Sequence, residues 1–222
     1  MITVHHLNNS RSQRILWLLE ELSVPYEIKF YQRDPKTMLA PKELRAVHPL
    51  GKSPVITDDG GPAIAESGAI VEYIVERFGQ GRLIPPAGTP ERERYRMWMH
   101  YAEGSAMPPL LMKLVLSRIP RAAPALIRPL LNATMARAIS GFIEPQLKNH
   151  ANYWEGELGK SEWFAGNDFT AADIQMSFPL EAAAARGTGG ARPKIDAFLK
   201  RIHARPAYQT AIEKGGPYEL MR

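Results

Sequence analysis

The sequence contains no cysteine among its 222 residues. This excludes disulfide bonds, zinc sites built on thiolates, and a nucleophile that is a thiol of the protein itself. Any thiol chemistry must therefore use a thiol that a bound molecule supplies.

Long hydrophobic runs are also missing. The longest stretch without Lys, Arg, Asp or Glu is residues 1–10, whereas a membrane-spanning helix needs about 20 predominantly apolar residues. No basic segment followed by an apolar run begins the chain, so neither a membrane helix nor secretion is indicated. We expect a cytoplasmic protein without a membrane partner.

A strong excess of one charge is absent as well. The 28 Lys and Arg residues exceed the 23 Asp and Glu residues by a net charge of +5. The excess lies after Ile84, where scattered arginines alternate with Glu91, Glu93 and Glu103. This pattern is typical of a solvated helix surface, so we expect no nucleic-acid partner.

The first 79 residues predict an α/β domain with the order β-α-β, a short α, then β-β-α. Two segments whose residues are typical of β-strands, at 2–7 and 26–31, flank a helical pattern at residues 14–22. Strands joined through a helix usually lie parallel in one sheet. The other predicted elements are a helix at 41–48, a strand from residue 53, a turn at 58–61, a return strand at 62–65 and a helix at 68–78.

Residues 80–90 are rich in Gly and Pro and predict a linker. This divides the chain into a domain at 1–79 and an all-helical domain at 91–222. The helical runs are predicted at 91–117, 125–158, 171–185 and 194–204, with a short turn near 208–214. Pro108, Pro109 and Pro145 should interrupt the two longest runs, because proline lacks the amide donor and clashes with the preceding turn.

Hydroxyl groups mark two places where a strand meets a turn or a helix. Ser10 can cap free helix amides or donate to an anion, although Asn8, Asn9 and Ser12 are equally plausible caps. Ser53 precedes Pro54 at the start of a predicted strand. A cis Pro54 would leave the backbone amide and carbonyl of the preceding serine free to pair with an extended peptide.

A third place lies before the last helix of the first domain, where Glu66 and Ser67 offer an acid for an ammonium group and a hydroxyl for a carboxylate. Ligand sites of α/β domains gather at such strand ends and helix starts. Metal binding is not expected, because His5 and His6 lack a third ligand at suitable spacing.

Over nearly its whole length the chain resembles the cytosolic glutathione transferases, in particular bacterial-type members with a serine in the active-site turn. Four motifs in the correct order and spacing carry the resemblance. They are the turn at 7–14 with the helix ILWLLEEL after it, the stretches 48–54 and 66–73, and the stretch 164–173. Within the last, Thr170 and Asp173 have the spacing of a helix capping box.

The resemblance implies a thioredoxin-like N-terminal domain, an all-α C-terminal domain, and conjugation of the glutathione thiolate to small hydrophobic electrophiles, as in detoxification. Glutathione would be a co-substrate, and no metal is implied. Serine-containing relatives use the residue at the position of Ser10 to stabilise the thiolate. Asn8 and Asn9 replace the more familiar Pro and Gly of this turn, and some relatives act through asparagine, so Asn9 is a rival for Ser10.

The resemblance also assigns the glutathione-binding residues. Ser53, before the cis Pro54, would pair its backbone with the cysteinyl part of glutathione. Glu66 and Ser67 correspond to the pair that holds the γ-glutamyl group, and Lys52 to the residue that contacts the glycine carboxylate.

The second substrate would bind between the domains. Candidates for the apolar half of that pocket, each with helical core packing as the alternative, are Met97, His100, Tyr101, Ser105 and Met107.

Two other functions remain open. One is a glutathione-dependent peroxidase or disulfide reductase, and the other is a non-catalytic glutathione transferase-like binding module. The resemblance also implies a homodimer that pairs the first domain of one subunit with the helical domain of the other. The candidate interface residues are Tyr73, Arg77 and Phe78 on one side and Arg92, Tyr95 and Arg96 on the other.

Overall fold

The computed structural model describes residues 1–186 and 191–220. In its first part four strands and three helices follow one another in the order β-α-β-α-β-β-α. They are β1 (Ile2–Leu7), α1 (Ser12–Leu22), β2 (Tyr26–Tyr31), α2 (Lys42–Val47), β3 (Val55–Asp58), β4 (Ile64–Ala65) and α3 (Ser67–Phe78). This order matches the prediction, with element ends moved by one or two residues.

The four strands form one mixed sheet in the spatial order β2-β1-β3-β4. Strand β1 lies parallel to β2, with Ile2 opposite Tyr26, and antiparallel to β3, with Ile2 opposite Asp58. The sequence predicted that two strands joined through a helix would pair in parallel. Strands β1 and β2, which α1 connects, do so, and the prediction is confirmed.

Side chains of β1 point alternately to the two faces of the sheet. Ile2 and Val4 belong to the main core together with residues of α1, while Leu7 packs with Tyr31 and Leu44 in a second cluster. By the same alternation, His6 lies on the α1 face and His5 on the opposite face.

The second part of the chain is helical in the residues that the structure describes. Its elements are α4 (Pro90–Tyr101), a π-helical segment (Ala102–Ala106), α5 (Met107–Ala122), α6 (Arg128–Ala138), a second π-helical segment (Ile139–Ile143), α7 (Glu144–Glu157), α8 (Ala171–Ala185), α9 (Pro193–His203) and α10 (Pro206–Gly215). The α/β and all-α architecture is therefore confirmed. The domain boundary at residues 80–90 stays a prediction, and the last of these residues, Pro90, is the first residue of α4.

The predicted proline interruptions are present as the two π-helical segments. One directly precedes the turn that contains Pro108 and Pro109, and the other directly precedes the turn that contains Pro145. Proline supplies no amide hydrogen and crowds the carbonyl four residues earlier, so the preceding turn widens.

Helix α10 corrects the prediction of a short turn near 208–214, because ten residues are helical there. The helix packs on α1, where Lys214 lies 2.5 Å from Glu20, and Arg205, directly before the helix, donates to Glu21 at 2.6 and 2.8 Å. These partners lie more than 180 residues apart in the chain, so the local pattern of residues 208–214 does not contain the contacts that stabilise the helix.

The capping box at the start of α8 is confirmed. Asp173 accepts hydrogen bonds from the backbone amides of Thr170 and Phe164, both at 2.9 Å. Its carboxylate therefore joins the helix to the loop before it. None of the described helices combines the length and the apolar character needed to cross a bilayer.

Candidate active site

A cleft of about 200 Å³ lies at the junction of the two parts of the chain. It is lined by Arg11, Lys52, Ser53, Pro54, Glu66, Ser67 and Glu103. The structure thus brings together all five residues that the resemblance assigned to glutathione binding, although they come from two segments of the sequence.

Ser10 adjoins this cleft at the start of α1. Its hydroxyl oxygen lies 3.2 Å from Ser53 Oγ and 2.8 Å from Ser12 Oγ, and it accepts a hydrogen bond from the backbone amide of Ser12 at 3.2 Å. The side chain is only 4% exposed. Ser10 is therefore held at the edge of the cleft by contacts on both sides.

The two asparagines of the same turn make different contacts. Asn9 has a positive φ of 50°, and its Oδ1 accepts from the backbone amide of Glu219 at 2.7 Å. Asn8 Oδ1 accepts from the backbone amide of Arg33 at 2.9 Å. Each asparagine thus holds another segment of the chain beside the turn.

The Ser53–Pro54 peptide bond is cis and immediately precedes β3. Pro54 is buried, Ser53 is half-buried and Lys52 is exposed. The segment therefore presents a cation and a hydroxyl group to one cleft.

Glu66 and Ser67 form the opposite wall. Glu66 is exposed and has a φ of +72°, a conformation that non-glycine residues rarely adopt and that is common at functional sites. Ser67, the first residue of α3, is buried, and its hydroxyl accepts from the Arg14 guanidinium at 2.9 Å. The exposed carboxylate and the fixed hydroxyl lie side by side.

An ion-pair cluster that contributes Arg11 and Glu103 to the lining of the cleft was not predicted as part of the site. Glu103, interpreted from the sequence as a solvated helix residue, is only 30% exposed and pairs with both Arg11 and the buried Arg14. Burial acts to raise the pKa of Glu103, but the charges and hydrogen bonds of the two arginines outweigh it and lower that pKa. No sequence signal pairs Glu103 with residues about 90 positions earlier, so this contact appears only in the folded chain.

Comparisons with known proteins bear directly on this site. A family model described as glutathione S-transferase, N-terminal domain, matches residues 10–77, and one described as glutathione S-transferase, C-terminal domain, matches residues 143–206. Glutathione S-transferase 3 of Schizosaccharomyces pombe is 39% identical over 216 residues, which cover 96% of this chain and 88% of that protein. The chain belongs to the glutathione S-transferase family.

Two further similarities extend over almost the whole transferase. Glutathione S-transferase 1 of Saccharomyces cerevisiae is 33% identical over 96% of this chain and 95% of its own length. A crystal structure of a glutathione S-transferase from Actinobacillus pleuropneumoniae is 32% identical, has a TM-score of 0.76 and covers 99% of this chain and 95% of that one. The family, the fold class and the enzyme class expected from the sequence are confirmed.

The predicted second-substrate residues of this transferase are not gathered in the cleft. Tyr101 contacts His150 and Trp154 in an aromatic cluster of the helical part, and Met107 is buried in the core. Met97, His100 and Ser105 are exposed on one continuous helical run. None of these five residues lines the cleft described above, so their role in a second pocket stays a prediction.

The histidines of the transferase's first strand face different surroundings. His5 Nδ1 lies 2.9 Å from the hydroxyl of Tyr31, and His6 Nδ1 lies 2.9 Å from Ser12 Oγ. Within residues 1–186 and 191–220 no group of three or more His, Asp or Glu side chains could hold a metal ion.

Proposed function

We propose that this transferase activates the thiol of glutathione at Ser10 and conjugates it to small hydrophobic electrophiles. One observation supports the proposal: the Ser10 hydroxyl lies within hydrogen-bond distance of Ser53, which lines the cleft together with Arg11, Lys52, Pro54, Glu66, Ser67 and Glu103. The relatives' name, glutathione S-transferase, supports the same conclusion.

The chemistry of the cleft fits the parts of glutathione. The exposed carboxylate of Glu66 suits the ammonium of the γ-glutamyl group, and the hydroxyl of Ser67, at the first residue of α3, suits its carboxylate. The backbone of Ser53 suits the cysteinyl peptide, and the exposed Lys52 suits the glycine carboxylate. Each charged group of the tripeptide thus meets a group of opposite charge or a hydrogen-bond donor.

Ser10 is the proposed donor to the sulfur. A free thiol has a pKa of about 8.5, so only a few per cent is thiolate at neutral pH. A hydrogen bond from Ser10 and the free amides at the start of α1 favour the charged form. The thiolate then attacks the electrophilic carbon, a C–S bond forms, and the leaving group departs with its electron pair.

The contacts of the turn support Ser10 over its rival Asn9. The Asn9 side chain already accepts from Glu219, whereas Ser10 contacts a residue that lines the cleft. We therefore propose Ser10 as the catalytic residue and Asn9 as a residue that holds the C-terminal segment.

We also propose a homodimer, a cytoplasmic location and a role in detoxification, all supported by family membership. For the dimer, Arg77 is exposed beside the half-buried rings of Tyr73 and Phe78. On the other side Arg96 is exposed, but Tyr95 is only 3% exposed within one subunit and offers no surface to a partner.

The test of the function is retention on immobilised glutathione followed by turnover with an aryl halide and with a hydroperoxide. Retention with higher turnover of the aryl halide is expected. Higher turnover of the hydroperoxide would favour a peroxidase or reductase, and failure to bind glutathione would favour a non-catalytic binding module.

A further inference from the structure

The C-terminal segment, residues 216–220, follows α10 and lies against the body of the protein. Tyr218 and Leu220 are half-buried and pack against the main core. The side chain of Glu219, between them, is exposed. The segment is therefore fixed by a side chain on either side of Glu219, and the Glu219 side chain itself is not part of that packing.

A buried carboxylate on α8 anchors this segment. Glu181 is 9% exposed, and its Oε2 accepts a hydrogen bond from the Tyr218 hydroxyl at 3.0 Å. Its Oε1 accepts from the Tyr208 hydroxyl of α10 at 2.7 Å and lies 3.0 Å from Nε2 of His203 in α9. A buried charge is stable only when hydrogen bonds replace the lost water. The carboxylate therefore holds Tyr218 in place together with the two helices before it.

The residue after this anchor contacts the turn that carries Ser10. The backbone amide of Glu219 donates to Asn9 Oδ1 at 2.7 Å, and Asn9 directly precedes Ser10 in the chain. On its other side the turn is joined to β2, because the backbone amide of Asn8 donates to the carbonyl of Tyr31 at 3.1 Å. The turn is thus held between β2 and the C-terminal segment.

The conformation of Asn9 gives this contact its importance. Its φ of +50° lies in the left-handed region, which carries a conformational cost for every residue except glycine. The hydrogen bond from Glu219 helps to hold Asn9 there. Without that bond the turn would adopt other conformations, and the hydroxyl of the next residue, Ser10, would move with it.

We propose that Tyr218 is a positioning residue for the Ser10 hydroxyl. Tyr218 fixes the amide of Glu219, that amide fixes the Asn9 side chain, and the turn then presents the hydroxyl to the glutathione thiol. This inference rests on the proposed role of Ser10. The geometry matters because a hydrogen bond weakens steeply when donor and acceptor are misaligned. Neither Tyr218 nor Glu219 is among the residues that line the cleft, so both act through the turn.

The test measures the thiolate absorbance of glutathione bound to the full-length enzyme as a function of pH, together with kcat and KM for glutathione. Glu219→Pro removes the amide hydrogen that Asn9 accepts. It should raise the midpoint by about 0.5 pH unit and lower kcat about threefold below the midpoint, with KM unchanged because the cleft residues are intact. The matched control Glu219→Ala keeps the amide and removes only an exposed side chain, so it should behave as the wild type.

Tyr218→Phe tests the anchor, because it removes the hydroxyl and keeps the ring on the core. It should reproduce the changes of Glu219→Pro. Its matched control is Tyr208→Phe, which removes another donor to the same carboxylate. Both phenylalanine variants should lower the melting temperature, but only Tyr218→Phe should move the midpoint. Equal midpoints within either matched pair of variants would overturn the positioning role.

Ser10→Ala separates a failure of this inference from a failure of the proposed function. It should raise the midpoint, and in its presence Tyr218→Phe and Glu219→Pro should have no further effect on the midpoint. If Ser10→Ala leaves the midpoint unchanged, Ser10 is not the donor, and the proposed function of this residue falls together with the inference. If Ser10→Ala raises the midpoint and the other two changes still add their full shifts, the segment does not act through Ser10 and only the inference is overturned.

Discussion

Arg14 in α1 donates to Glu103 in the π-helical segment between α4 and α5. The same guanidinium donates to Ser67 at 2.9 Å, and Arg11 donates to both oxygens of Glu103 at 2.9 Å. One carboxylate thus compensates two cations, one of which is fully buried behind the cleft. The pairing joins the α/β part to the helical part at the point where the proposed substrate binds.

Glu103→Gln should destabilise the protein, because it keeps the size of the side chain but leaves Arg14 buried without its charged partner. The expected loss is about 3 kcal/mol, seen as a lower melting temperature. Glu93→Gln is the matched control, since its pair with Arg96 is exposed and such pairs contribute about 0–1 kcal/mol. Equal melting temperatures for the two variants would contradict the prediction.

The same pair should make stability depend on pH. The folded state lowers the pKa of Glu103, so its contribution is present above the unfolded value of 4.5 and is lost as pH falls through the lower folded value. Between about pH 5 and pH 3 the melting temperature of the wild type should therefore fall more steeply than that of Glu103→Gln. Parallel curves would show that the pair contributes nothing to acid stability.

Ser10→Ala should slow conjugation and raise the pH at which the bound thiol ionises. Loss of one hydrogen bond to the developing charge corresponds to about 2 kcal/mol, or a rate reduction on the order of 30-fold. The measurement is kcat/KM for an aryl halide across pH. If Ser10→Ala is silent and Asn9→Ala is inactive, the catalytic assignment moves to Asn9.

Glu66→Gln should weaken glutathione binding with little change in turnover at saturation, because this carboxylate holds a part of the ligand that does not react. Loss of a hydrogen bond between charged groups predicts an affinity about tenfold lower. Titration with glutathione checks the affinity, with Glu76→Gln, an exposed change on α3, the helix that Glu66 precedes, as the control. An unchanged affinity would remove Glu66 from the site.

Asp173→Asn should destabilise the helical part of the enzyme. The carboxylate accepts from two backbone amides and from the Thr170 hydroxyl, and an amide side chain places a donor against donors. We expect a loss of about 2–3 kcal/mol and a melting temperature about 5–10 °C lower. Asp168→Asn, an exposed change in the loop before α8, should leave the melting temperature near that of the wild type.

The proposed dimer predicts twice the subunit mass in light scattering at micromolar concentration. Arg77→Glu, beside the rings of Tyr73 and Phe78, should shift the population towards the monomer, because aromatic and arginine residues are favoured at interface centres. A wild-type mass near 24.8 kDa with full activity would show that one subunit works alone.

Local sequence patterns predicted most of the fold because the signals that specify it are local. Alternation along β1, helical spacing in α1 and the proline positions each involve neighbouring residues. The missed features depend on contacts between distant positions. Helix α10 packs on α1, and Glu103 pairs with Arg11 and Arg14. The glutathione-binding residues were found through the resemblance, since a turn, a proline and a helix start do not by themselves specify a ligand.

The two π-helical segments have a geometric consequence for everything that follows them. Hydrogen bonds in a π-helix span five residues rather than four, so each segment holds one residue more than the α-helical turn it replaces. One residue turns an α-helix by about 100°. The buried side chains Leu110 and Leu114 of α5 thus lie where an uninterrupted helix from α4 would carry their neighbours in sequence. Deleting one residue from 102–106 would therefore turn the segment into ordinary α-helix and leave both leucines facing the core, whereas deleting one residue from the middle of α4 would rotate them by about 100° away from it.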